Sequence, residues 1–178
     1  MIDLVSKAKQ DDVNAFHELY KLFGKDIYNF VYRLTGSKED AEDLTQETFV
    51  KAFQDLKNLR DDSRFKSWLF SIARNEVYQR ARRYGSRVKP LEEEAIQIPS
   101  TEKTPEEAYL HGELSDVVQS ALDALPLKLK TVLVLAAIQN HSYQEIAEIV
   151  GRSVPAVKTD IHRARLKVRE HIKKYLNL

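Results

Sequence analysis

Apolar positions along this chain recur at steps of three and four residues, and no segment shows the period-two alternation of a strand, so an all-α fold is expected. Phe16, Leu19, Tyr20, Phe23, Ile27, Phe30, Val31 and Leu34 form a first stripe, and Gly36 ends it. Ser37 is placed to cap a second helix with an acidic first turn and a stripe of Ala41, Leu44, Thr48, Phe49, Ala52, Phe53 and Leu56. After a polar turn at 58–63, Phe65, Trp68, Leu69, Ile72, Ala73 and Val77 mark a third helix that fades at Tyr84-Gly85.

Periodicity fails from Ser86 to Thr104, where Pro90, Pro99 and the run Glu92-Glu93-Glu94 predict an extended, exposed linker. Thr104-Pro105-Glu106-Glu107 then restarts a helix, with Thr as N-cap, Pro at the first position and Glu at the third. Two small helical domains are expected, at 1–87 and 105–178, joined by an acidic linker at 88–104.

The strongest local signal begins at Ser142. Ser142 and Glu145 have the spacing of a capping box, Ile146, Ile149 and Val150 give the helix an apolar side, and Ala147 is small where another helix must cross. Gly151 permits a tight turn at positive φ, Ser153 is placed to cap the next helix, and Pro155 is tolerated in its first turn. Val157 and Ile161 return to the core. This is the pattern of a helix-turn-helix. The second helix presents Ala156, Lys158, Thr159, His162, Arg163 and Arg165 away from the core. Lysine and arginine suit guanine edges or phosphates, and Thr and Ala suit a thymine methyl. Tyr143 and Arg152, at the start of the motif and at its turn, complete the candidate duplex-binding set; the competing account is a helical hairpin with a solvated basic face.

Composition narrows the classes. The 178 residues are 43% hydrophobic and 31% charged, the balance of a water-soluble globular chain, with no apolar run approaching the roughly 20 residues of a membrane span. The N-terminus lacks a basic region followed by an apolar one, so no signal peptide is expected. There is no cysteine, which excludes disulfides, thiolate nucleophiles and cysteine zinc sites and fits a reducing cytoplasm. No cofactor or metal is expected.

The net charge of +1 argues against strong stand-alone DNA binding, but the charges are segregated. Basic residues gather in 74–89 and from Arg152 onward, whereas acid gathers at Glu39–Glu47 and Glu92–Glu94. The acidic helix face bearing Asp40, Glu42, Asp43, Gln46 and Glu47 fits either complementation of the helix dipole with ordinary solvation or a dock for a basic partner. In the aromatic and arginine-rich segment, Trp68 has core spacing. Asn75 lies on another face, suited to hydrogen bonding an extruded base, and Arg74, Arg80, Arg82 and Arg83 are placed for phosphates.

Three blocks, in order, resemble extracytoplasmic-function (ECF) sigma factors of the sigma-70 family. They are Gly36–Phe49 with Asp40-Ala41-Glu42-Asp43 and Gln46-Glu47, Phe65–Asn75, and Leu122-Asp-Ala-Leu-Pro126 continuing through Ser142–Ala147 and Val157–Arg165. The resemblance implies a sigma domain 2 bundle and a sigma domain 4 helix-turn-helix. Asp40, Glu42, Asp43, Gln46 and Glu47 would meet the clamp helices of the polymerase β′ subunit. Asn58, Arg60 and Arg64, in the turn before the third helix, would join Arg74, Asn75, Arg80, Arg82 and Arg83 at the single-stranded minus-10 element. Leu122–Leu135 would face the β flap, and the helix-turn-helix would read the minus-35 element. Core RNA polymerase, promoter DNA and an anti-sigma factor are the implied partners of a cytoplasmic, non-enzymatic chain, expected to be a monomer when free. Asn140-His141, where many relatives carry glycine, and Pro155, where a small residue is common, depart from the pattern.

Two other classes compete. A stand-alone helix-turn-helix regulator would bind a palindromic duplex as a dimer, but has no use for the acidic face or the aromatic and arginine-rich segment. A helical hydrolase would need Asp40, Glu42 and Asp43 to join a metal-binding set, and their spacing does not supply one.

Overall fold

The computed structural model describes residues 1–85 and 112–175. These form eight α-helices: α1 (Ile2–Ala8), α2 (Val13–Thr35), α3 (Lys38–Asp55), α4 (Phe65–Gly85), α5 (Gly112–Asp123), α6 (Leu127–Ala137), α7 (Tyr143–Val150) and α8 (Val154–Tyr175). No strand occurs among the described residues. The expected linker and its Thr104 helix start lie outside them.

Local chemistry sets the boundaries in the first unit, α1–α4. Asp12 caps α2 by accepting from the N–H groups of Asn14 and Ala15, and Gly36 closes it at φ 71°, donating its N–H to the Tyr32 carbonyl. Ser37 then caps α3 through the Asp40 N–H. The expected α2 stripe is buried at Leu19, Phe23, Ile27, Phe30, Val31 and Leu34. Thr45 and Thr48 are buried on α3 because their hydroxyls donate to the carbonyls of Ala41 and Leu44 at 2.6 Å.

Several positions differ from the expected stripes, Tyr20 of α2 among them at 44% exposed. Phe53 is 45% exposed and packs edge-on against Phe16 at the rim of the bundle, at 5.0 Å between centroids. Phe70, absent from the expected α4 stripe, is fully buried, whereas Trp68 and Ile72 are only partly so. Helix α4 is covered on two sides, by α2 and α3 of its own unit and by α7 of the other, so its apolar surface exceeds a single stripe.

In the second unit α6 is central: Lys130 through Leu135 are all buried. Ser142 and Glu145 form the capping box in full, with Glu145 N–H donating to Ser142 Oγ and Ser142 N–H to Glu145 Oε2 at 2.7 Å. That backbone hydrogen bond holds the Glu145 carboxyl below its usual pKa. Gly151 caps α7 at φ 65°, and α8 follows with Pro155 in its first turn and Val157, Ile161 and Ala164 buried. Asp160 is also buried, paired with Arg152 and 3.7 Å from Lys128.

The two units pack against each other, α2 on α5 and α6, and α4 on α7. Their seam is rich in polar contacts. Arg33 Nη1 donates to Gln119 Oε1 (3.1 Å), and Gln119 Nε2 donates to the Arg33 carbonyl (3.3 Å). Buried Lys130 donates to the Leu34 carbonyl (3.2 Å) and to Asp123 (2.8 Å). The Tyr78 hydroxyl meets Thr131 Oγ1 at 3.2 Å, and Gln139 donates to the Asp26 carbonyl at 3.3 Å.

The second unit sets three stability expectations. No atom lies within 4 Å of a Cβ built at Gly151, so Gly151→Ala meets only the left-handed backbone penalty. It should destabilise by about 1 kcal/mol. Arg152→Ala leaves a buried carboxylate with only Lys128 near it and should cost about 2 kcal/mol. Arg163→Ala, at an exposed position, should stay within about 0.5 kcal/mol of the unaltered chain in the same thermal unfolding series.

Candidate nucleic-acid and polymerase interface

The exposed side of α3 carries Glu39, Glu42, Asp43, Gln46 and Glu47, followed by exposed Val50 and Phe53. An acidic strip thus runs into an apolar end, a combination suited to a basic helix with apolar anchors. Asp40 lies at the α4 edge of that strip. Its side chain is 14% exposed and accepts from Arg80 of α4 at 2.7 Å, and Arg80 also reaches Glu47 at 3.4 Å. Arg80 and Asp40, expected on a DNA face and a protein face, therefore join α3 to α4. Sequence position alone carries no signal for this pairing across 40 residues.

The candidates for single-strand contact fall into two groups. Asn58 and Arg64 are exposed on the two short 3-10 turns between α3 and α4, and Arg60 is exposed on the bend that joins those turns. Arg64 lies 3.4 Å from Asp61 and 3.8 Å from Glu148 of α7, across the seam. Asn75, Arg82 and Arg83 are exposed on α4. Arg74 lies over the Tyr78 ring (5.5 Å) and donates to Asn75 Oδ1 at 3.2 and 2.6 Å. The carbonyl end of Asn75 is thereby taken, and its amide nitrogen is the end left to donate to a base. Glu76, the one acid in this part of the sequence, is buried against Lys51 (2.6 Å), so it does not dilute the positive surface of α4.

The helix-turn-helix presents Lys158, Thr159, His162, Arg163 and Arg165 from exposed positions of α8, with Ala156 partly covered. Lys158 Nζ sits 5.7 Å from the Tyr143 ring centre, a cation–π contact between the two helices of the motif. The Thr159 hydroxyl donates to the Pro155 carbonyl at 3.0 Å. Arg152 is held by Asp160, so its role in this structure is to fix the start of α8. Next to the motif, an open groove of about 730 Å³ runs between α6 and α8, with Leu129 and Leu166 among Lys128, Arg163 and Lys167.

No group of three His, Asp or Glu side chains among the described residues is arranged to hold a metal ion, and no described helix is long and apolar enough to cross a membrane. Sequence reasoning does not single out His141 as a site residue. It is buried at the seam, and its only sequence signal was the departure from glycine at that position.

The model for sigma-70 region 2 matches residues 19–87, and that for sigma-70 region 4 matches 115–168. The chain is 35% identical to the ECF RNA polymerase sigma factor SigE of Mycolicibacterium smegmatis over 90% of its own length and 63% of that relative's. It is 32% identical to the ECF RNA polymerase sigma factor SigW of Bacillus subtilis, covering 95% of each chain. Among solved structures it is similar to CnrH, determined in complex with the cytosolic domain of CnrY (TM-score 0.72, 26% identity, 97% of both chains). It is also similar to the sigma factor RpoE of Bartonella quintana, determined with the anti-sigma factor NepR (TM-score 0.73, 28% identity, 90% of this chain and 98% of that one). With both sigma regions present in order on an all-helical chain, the protein belongs to the extracytoplasmic-function RNA polymerase sigma factors of the sigma-70 family.

Proposed function

We propose that three surfaces of this chain divide the work of a sigma factor, which binds core RNA polymerase and directs promoter-specific initiation. Glu42, Asp43, Gln46 and Glu47 of α3 dock on the β′ clamp helices. Asn58, Arg60, Asn75, Arg82 and Arg83 hold the unpaired minus-10 strand, Asn75 through its amide nitrogen and the arginines on phosphates. Tyr143, Lys158, Thr159, His162, Arg163 and Arg165 read the minus-35 duplex in the major groove. Arg74 orients Asn75. Arg80 with Asp40, and Arg152 with Asp160, support these surfaces from behind. The groove between α6 and α8 takes the β flap.

The carrying observation is the placement of charge: an exposed acidic strip on one unit and an exposed basic recognition helix on the other. A stand-alone regulator uses only the second. RNA synthesis stays with the polymerase, and the chain works in the cytoplasm, where that enzyme is. An anti-sigma factor, as found with the Bartonella quintana relative, is the fitting regulator.

The test is transcription by bacterial core polymerase on a genomic promoter library with and without the chain, mapping RNA 5′ ends. Discrete start sites sharing two upstream motifs are expected only with the chain. Asn75→Ala and Lys158→Ala should each lower initiation roughly tenfold, the first by slowing promoter opening and the second by weakening minus-35 binding. Glu42→Lys with Asp43→Lys should weaken core binding by a similar factor while the helix content is unchanged. If core polymerase gains no specificity while the chain alone shifts duplex DNA, the stand-alone regulator replaces the sigma reading.

A further inference from the structure

The polar seam between the two units contains one side chain that polar packing does not explain. His141, at the start of the helix-turn-helix, is 5% exposed, and neither ring nitrogen has a hydrogen-bond partner. Its backbone N–H is anchored to the Leu135 carbonyl of α6, and its ring meets the buried Phe70 ring of α4 edge-on, with centroids 4.6 Å apart. The second unit thus presses an imidazole into the wall of the first. An imidazole always offers at least one N–H donor, so this contact loses solvation that a phenyl ring would not lose.

The surrounding charges are unequal to stabilising a cation there. Lys66 of α4 opposes protonation. Asp26 of α2 and Glu145 of α7 favour it. However, Glu145 Oε1 is 3.8 Å from Nδ1, too far for a hydrogen bond, and the other carboxylate oxygen is held by the Ser142 N–H and hydroxyl. Burial is the dominant effect and pushes the imidazole below its ordinary value of 6.5.

The seam also has a functional consequence. Minus-35 and minus-10 elements lie about 25 base pairs apart, on the order of 85 Å along B-form DNA. Two units of this size in contact have centres roughly 30 Å apart. The packed arrangement therefore does not present α4 and α8 at promoter spacing.

We propose that the contact between the two units is a closed form unable to span a promoter, and that His141 is its proton-sensitive latch. The consequence for transcription rests on the promoter-spanning role proposed above; the latch itself does not. Proton linkage gives the sign. The open form exposes His141 and binds a proton near pH 6.5, whereas the closed form resists one until lower pH. Closure is strongest above that value and weakens as pH falls through it, by up to about tenfold in the open-to-closed ratio at one pH unit below.

The chain has no cysteine, so Lys21→Cys and Lys173→Cys, at exposed positions of α2 and α8, take a donor and acceptor dye pair on the full-length protein. Energy transfer is followed from pH 8 to pH 5.5, with far-ultraviolet circular dichroism to follow helix content. With His141 present, transfer should be high at pH 8 and fall below pH 6.5 at constant helicity. In His141→Phe, which keeps a ring against Phe70 without a titratable nitrogen, transfer should stay high throughout. In His141→Arg it should already be low at pH 8. Transfer that is flat with pH in the parent, or that falls in parallel in His141→Phe, overturns the latch. If His141→Arg loses helicity, the comparison between the parent and His141→Phe decides. No polymerase enters this measurement, so a failed latch and a failed promoter assignment are read separately.

Discussion

Phe70 has no solvent face. Its ring meets Phe30 of α2 at 5.3 Å on one side and His141 of the second unit at 4.6 Å on the other. Helix α4 is thereby held between the core of its own bundle and the helix-turn-helix. The same helix carries Asn75, Arg82 and Arg83 on the surface that remains. A residue buried from both sides fixes the rotation of its helix, because turning α4 to relieve one contact would break the other. The direction in which the nucleic-acid candidates point is a consequence of that double packing.

The seam that completes this packing is built differently from the cores it joins. Within each unit the hydrophobic core is leucine, isoleucine, valine, alanine and phenylalanine. Between the units, beside the Phe70–His141 ring contact, run the polar contacts of Arg33 with Gln119, Lys130 with the Leu34 carbonyl, Tyr78 with Thr131, and Gln139 with the Asp26 carbonyl. Hydrogen bonds of this kind exchange for water at little net gain when an interface opens, whereas exposing a leucine-rich face costs about 25 cal/mol for every Å². The polar part of the seam therefore adds little resistance to separating the two units.

Much of the local fold was legible because it depends on neighbours in sequence. Gly36, Ser37, the Ser142–Glu145 box and Gly151 announce helix ends through chemistry spanning three or four residues, and each acts as expected. Residues whose partners lie far away in sequence were not legible. The pairing of Arg80 with Asp40, 40 residues away, and of Arg152 with buried Asp160 is not announced by spacing along one helix. Phe53 falls on the core stripe by spacing, yet the bundle ends before covering it. Phe70 lies off that stripe, yet the second unit buries it. What decides each case is the presence or absence of a neighbour from elsewhere in the fold, and periodicity along one helix carries no information about it.

The near-neutral charge of the chain fits the same architecture. Affinity for DNA grows with the number of phosphates neutralised, and the exposed cations are divided between α4 and α8, with an acidic strip on α3 ahead of both in sequence. Neither unit alone gathers enough positive charge for tight binding. Two weak sites become a strong one when a scaffold holds them at the spacing of their targets, since the second contact then forms at high effective concentration. A closed free form strengthens this dependence, because separating the units opposes binding unless a partner that prefers them apart offsets it. Weak sites, segregated charge and a polar seam thus make promoter recognition a property of the assembled complex rather than of the free chain.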